Sequence, residues 1–206
     1  MNEHEWFAIT PRGDMGVDPE RGWYSELHRQ RFCPQCREQR PEFAGQPVDI
    51  FTAFKPPNVP LTSIGKVPAY VAKRAFLNIF TDAAEGYLVL GRIVGPEGKE
   101  YPEFVSYTAP YALPIRGGSE SIRKTCGTCG QFGYYPMPFD YRYRYLVSAC
   151  LAPGRSLYTS ELCELVLRGD LLARIDLKTR KQFRIHRLPV KDKAEDGIED
   201  FPTLYL

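Results

Sequence analysis

The sequence predicts an α+β fold: short antiparallel strands with a few helices, in two similar halves that meet at a four-cysteine zinc site. Three observations point there. Eighteen prolines and seventeen glycines interrupt the 206 residues often enough to favour short strands and loops over long helices. Two C-x-x-C pairs, Cys33 with Cys36 and Cys126 with Cys129, offer four thiols at matching internal spacing. Behind each pair the same order of signals follows, namely strand, helix, glycine, strand.

Behind the first pair, V-D-I-F-T-A-F predicts a strand. The segment V-P-A-Y-V-A-K-R-A-F-L-N-I-F-T-D-A-A-E-G then predicts a helix, because Val71, Ala75, Phe76, Ile79 and Phe80 fall near helical spacing. Gly86 stands where a C-terminal stop belongs, and Y-L-V-L-G-R-I-V-G predicts the next strand. Behind the second pair, R-Y-L-V-S-A-C takes the place of V-D-I-F-T-A-F. The run Y-T-S-E-L-C-E-L-V-L-R-G-D predicts a helix capped by Thr159 or Ser160, with Glu161 at its positive end and Gly169 as its stop. After it, L-L-A-R-I-D-L predicts a strand, K-T-R-K a polar turn, and Q-F-R-I-H-R-L a strand with alternating faces.

This parallel predicts an internal duplication within one compact unit, with an N-terminal half over residues 1–115 and a C-terminal half over 116–206. The polar, proline-containing stretches 11–22 and 189–202 are expected as exposed arms.

Composition narrows the function classes. With 43% hydrophobic and 25% charged residues the chain has the make-up of an ordinary globular protein. No window approaches the 18 uninterrupted apolar residues of a membrane span, and M-N-E-H-E-W-F lacks the features of a secretory signal, so the expected location is cytoplasmic. A net charge of +2 supplies no global field toward nucleic acid or an anionic membrane.

Six cysteines are too few for a disulfide-dense scaffold of this length. A C-x-x-C turn sets two thiolates on one side of a tight loop and supplies half a tetrahedron. Cys33, Cys36, Cys126 and Cys129 together would complete a closed structural zinc site, although the stretch between the pairs far exceeds that of a simple zinc ribbon. Two other readings stay open. The thiols can simply pack, as expected of Cys150 and Cys163, or C-P-Q-C can act as a redox pair, as in glutaredoxin-like thiol-disulfide oxidoreductases with Cys33 as nucleophile. Against the redox reading, Pro41 disfavours the helix that would lower the pKa of Cys33.

Nucleotide-loop, nucleophile-elbow and H-E-x-x-H patterns are absent, and His4, His28 and His186 are the only histidines. No catalytic residue is assigned, and the chain is read as a non-enzyme. His28 could replace a ligand in a Cys₃His site. In D-Y-R-Y-R-Y-L, strand periodicity would put Tyr141, Tyr143 and Tyr145 on one face and Arg142 and Arg144 on the other. That run and R-I-H-R would be the contacts of a zinc-ribbon-like nucleic-acid or regulatory adaptor, the alternative function.

The order R-F-C-P-Q-C, P-V-D-I, T-C-G-T-C-G and S-L-Y-T-S-E-L-C-E-L-V-L-R-G-D-L-L-A-R-I resembles the bacterial double-C-x-x-C-G motif family, which includes immunity proteins of the Sit type. Arg37 stands where the motif has glycine after the first pair. The resemblance implies a protein that binds and neutralises a cognate toxin, with paired cysteines holding the fold through metal. The balanced charge, for its part, leaves no membrane partner expected and nucleic acid an unexpected one.

Overall fold

A computed structural model describes residues 4–12, 14–15, 30–31, 33–35, 40–43, 45–64, 70–116, 124–130, 132–134, 144–160 and 164–193. In chain order the strands and helices are β1 (Trp6–Pro11), β2 (Asp14–Met15), β3 (Ile50–Phe51), β4 (Leu61–Ile64), β5 (Tyr70–Lys73), α1 (Arg74–Leu77), α2 (Thr81–Ala84), β6 (Val89–Val94), β7 (Glu100–Thr108), β8 (Lys124–Thr125), β9 (Phe132–Tyr134), β10 (Leu146–Val147), β11 (Leu157–Thr159), β12 (Leu165–Arg168), α3 (Gly169–Ala173), α4 (Leu177–Arg180), β13 (Phe183–Leu188) and β14 (Val190–Lys191). The predicted mixed α+β class, strand-rich with short helices, is what the chain adopts.

Two sheets carry the architecture. The larger has the order β2-β4-β5-β7-β6-β3, and the smaller has the order β11-β12-β1-β13. In the first, β7 lies antiparallel between β5 and β6, while β3 joins β6 in parallel. In the second, β1 lies antiparallel between β12 and β13, with Ile9 opposite both Leu165 and Ile185. Just past β13, β14 pairs in parallel with β10. The outer edges also correspond: β2, which follows β1, pairs in parallel with β4, and Leu113, which follows β7, makes a parallel bridge to Ser160 after β11. β1 thus belongs to a sheet otherwise drawn from residues beyond 156, a placement that sequence patterning did not predict.

The predicted helix around Phe76 is shorter than expected. Tyr70, Val71 and Ala72 form a strand, and the helical run starts at Arg74 and continues through a 3-10 turn, Asn78–Phe80, into α2. Phe76, Leu77 and Phe80 are its buried face. The stop at Gly86 is as read from sequence: its φ of 69° reverses the chain, and the Tyr87 and Leu88 amides donate to the Ala84 carbonyl. The predicted strand over Val89–Val94 is present.

In the second half the order of elements is corrected. Leu165–Arg168 is strand rather than helix, Gly169 begins a helix instead of ending one, and the expected strand L-L-A-R-I-D-L is helical over its first residues. Leu165, Val166 and Leu167 are all fully buried, and a short apolar run buried on every side has no periodicity to separate helix from strand. Leu171, Leu172 and Ile175, in contrast, bury one helical face. The expected polar turn K-T-R-K lies largely in α4, whose start is capped by Asp176: its carboxylate accepts from the Thr179 amide at 2.9 Å and from the Thr179 hydroxyl at 2.6 Å. Phe183–Leu188 is a strand, as predicted.

Both helical runs pack together. Arg174, just past α3, forms two bonds to the Asp82 carboxylate of α2 at 2.6 and 2.9 Å, and Phe76 of α1 meets Phe183 of β13 in a tilted contact with ring centroids 5.3 Å apart. One hydrophobic cluster, from Trp6 to Leu188, draws on both sheets. At Gly91 in β6 the backbone is closely approached: a Cβ there would overlap the Val48 carbonyl and the Ser106 hydroxyl, which themselves hydrogen-bond. Gly91→Ala should therefore destabilise by about 1–3 kcal/mol in urea unfolding. Gly86→Ala, in open space and strained only by its positive φ, should cost about 1 kcal/mol. Equal effects from the two substitutions would refute the close approach.

Candidate metal centre

The second C-x-x-C turn sits at the tip of a hairpin. β8 and β9 pair antiparallel on either side of it, and the Gly130 amide donates back to the Cys126 carbonyl at 2.8 Å. Gly130 has a φ of 73°, which glycine adopts without strain, so C-G-T-C-G encodes the reversal locally. Around the first pair, the Arg40 amide donates to the Arg31 carbonyl at 2.8 Å. Arg31 is held in turn: its guanidinium donates to the Pro47 carbonyl and lies 5.8 Å from the Phe43 ring centroid.

Across 93 residues of sequence the two turns meet, with Cys33 Sγ 3.6 Å from Cys126 Sγ. Cys129 joins them, and the three sulfurs all lie within 4.8 Å of one another. A tetrahedral thiolate site with Zn–S near 2.3 Å places its sulfurs about 3.8 Å apart, whereas a disulfide needs about 2.05 Å. The separation fits metal ligation, and none of these three cysteines is in a disulfide. Three of the four sequence-predicted ligands are thus close enough to hold a metal ion; Cys36 and His28 lie outside the described residues.

Cys33 and Cys126 are each only 1% exposed, while Cys129 is half-buried. Burial opposes ionisation of Cys126. Hydrogen bonds from the Cys129 and Thr128 amides, and from the Cys129 and Cys33 side chains, outweigh it and bring the thiol down to about 6. A thiolate prepared in this way is the form a cation binds. Gln35 ties the turns together, its Oε1 accepting from the Thr128 hydroxyl at 2.7 Å and lying 3.5 Å from Cys126 Sγ. Nothing in C-P-Q-C marks that role, since the contact exists only once the turns meet.

The remaining candidate residues lie elsewhere. Cys150 is half-buried against the hydrophobic cluster, much as expected of a small apolar side chain, and Cys163 lies outside the described residues. Of the D-Y-R-Y-R-Y run, Tyr141, Arg142 and Tyr143 also lie outside them. Arg144 and Tyr145 are both buried, so neither is available as an exposed contact. Arg144 donates to both oxygens of the Glu164 carboxylate, with the Ser160 hydroxyl adding a bond at 3.0 Å. His186 is half-buried; burial lowers its pKa, the nearby Arg144 charge adds to this, and Glu164 opposes it. His4 is exposed.

No helix among the described residues is long and apolar enough to cross a membrane. No protein-family model matches the chain, and comparison with curated proteins finds no match.

The depressed Cys126 pKa gives the metal-free protein a defined pH response. From about 6 up to the ordinary thiol value of 9.0 the unfolded chain holds a proton that the folded chain has released, so stability rises with pH across that window and falls as pH drops toward 6. Chemical denaturation of chelator-treated protein should show this slope, and Cys126→Ser should flatten it. An unchanged slope in the variant would rule out the Cys126 assignment.

Proposed function

We propose that this chain is an immunity protein that binds and neutralises a cognate toxin protein, with its cysteines holding the fold around a structural zinc ion. The carrying observation is the burial of Cys33 and Cys126 in one sulfur cluster assembled from two distant turns. Buried thiols at metal-ligand spacing suit a structural site, whereas a catalytic zinc keeps a position open. Cys36 is the proposed fourth ligand, spaced from Cys33 as Cys129 is from Cys126. Zinc would supply a crosslink between the turns, and the chain's own amides prepare the sulfur that receives it. The toxin-binding part rests on the resemblance of the double C-x-x-C order to immunity proteins of that family.

The site is also proposed to join two copies of a duplicated unit. The 93-residue separation of Cys33 and Cys126 recurs to within three residues between the starts of β3 and β10, β4 and β11, β5 and β12, and β6 and β13. Phe76, Leu77 and Phe80 match Leu171, Leu172 and Ile175 in spacing and burial. In this reading the boundary between the units falls before β7 instead of after residue 115, β1 and β7 are equivalent leading strands, each inserted into the sheet of the other unit, and the two C-x-x-C turns are equivalent halves of one metal site.

Purified protein should carry one zinc per chain, and Cys126→Ser should lose the metal and unfold at a lower denaturant concentration than the zinc-loaded protein. A metal-free protein with a reversible Cys33–Cys36 disulfide would instead favour the thiol oxidoreductase. Co-expression with the product of the neighbouring reading frame should restore growth and yield a complex on co-purification; a harmless, non-binding neighbour would end the immunity reading.

The turn Gly95–Lys99, closed by the Gly95 amide on the Lys99 carbonyl at 2.7 Å, joins β6 to β7 between the proposed units. Fragments 1–97 and 98–206 expressed together should assemble and bind zinc, while neither should do so alone. A stable, zinc-loaded single fragment would sink the exchanged-strand reading.

A further inference from the structure

We propose that Arg155 is a preformed anchor for a carboxylate group on a protein partner. Its guanidinium carbon lies 4.4 Å from the ring centroid of Tyr87, 5.5 Å from that of Tyr111 and 5.8 Å from that of Tyr158. Three tyrosine faces around one cation form an aromatic cage in which attraction to the rings and lost hydration act together.

The cage is rigid before any partner arrives. The Tyr87 hydroxyl donates to the Tyr111 carbonyl at 2.8 Å and accepts from the Thr159 amide at 3.0 Å. The Tyr158 hydroxyl accepts from the Ala152 amide at 2.7 Å, and Trp6 packs on the Tyr158 ring with centroids 5.5 Å apart. Burial raises the Tyr87 hydroxyl well above its ordinary pKa, so the ring stays neutral and keeps its electron-rich face.

Within this support Arg155 has spare chemistry. Arg92, Arg144, Arg168, Arg174 and Arg187 each meet a carboxylate within the chain. The Arg155 guanidinium meets only the rings: among the described residues it makes neither a hydrogen bond nor an ion pair. It is half-buried beside the exposed residues Ala152, Pro153 and Gly154. A planar fork held on aromatic faces has little rotamer freedom left to lose, and its donors match a carboxylate bidentately. Arginine and tyrosine together are also the residue types that dominate protein-binding hot spots. The partner group that fits is therefore an aspartate or glutamate side chain at an interface.

This inference deepens the protein-binding reading and rests on it only for the partner's identity. In the full-length, metal-loaded protein, the Arg155 Nε–H resonance can be assigned by its loss in Arg155→Lys. It can then be followed on addition of the capped peptide acetyl-Gly-Glu-Gly-Glu-Gly-amide, its glutamine analogue, inorganic phosphate, and sodium chloride at matched ionic strength. The expected result is a saturable shift with the glutamate peptide alone, and, read from the backbone amides of Ala152 and Gly154, an affinity about tenfold or more weaker in Arg155→Lys with the fold intact by circular dichroism. No shift, a shift equal to that of the glutamine analogue or the salt, or a response to phosphate as strong as to the peptide overturns the proposal. Since the wild-type resonance reports directly, a misfolded variant would not hide the answer. A peptide response without co-purification of a toxin would sink immunity and leave the anchor standing.

Discussion

The rest of the structure depends on β1 lying between β12 and β13. Ala8 and Ile9 are fully buried there, and each is flanked by residues from both neighbouring strands. A buried backbone must find partners for its amides and carbonyls, and this strand supplies them to two others at once. Without it the smaller sheet separates into the β11–β12 pair and an isolated β13. β7 holds the equivalent place between β5 and β6. Cys33 and Cys126 follow β1 and β7 in the chain, and their sulfurs lie 3.6 Å apart.

Sequence showed the local parts of this design and missed the long-range ones. Gly86 as a stop, Val89–Val94 and Phe183–Leu188 as strands, and the second cysteine pair as a turn were all readable, because each follows from neighbouring residues or from a simple period. The exchange of helix and strand around Gly169 was not. Leu165–Leu167 are apolar on every side because they are central in a sheet, and only the flanking strands reveal that. The placement of β1 is equally silent, since W-F-A-I carries no mark of the strands it will join some 160 residues later. Of the candidate site, the donors were legible, while the 3.6 Å approach and the bridging Gln35 needed tertiary structure.

Burial also alters the meaning of the arginine-rich and tyrosine-rich segments. Arg144 reads in sequence as a surface contact, yet it is 3% exposed and joined to Glu164, which is fully buried. Taking such a pair out of water is costly, and its return is a fixed geometry for the chain around it, here where β10 meets the run into β12. Arg155, with no special sequence setting, is the arginine that the tyrosines leave facing other chemistry. Composition alone cannot separate these two roles, because both depend on which carboxylates lie within reach.

The position of β1 has a consequence for how the chain is made. Its partners lie between Leu165 and Leu188, so during synthesis Trp6–Ile9 emerge well before them and have no place to pair until those residues have left the ribosome. Sequence-distant pairings of this kind slow folding, because a long loop must close before any contact rewards it. The larger sheet, complete once β7 has been made, can form earlier and wait. Throughout that interval an apolar strand stays exposed on the nascent chain, and its protection from mispairing becomes a task for the cell as well as for the fold.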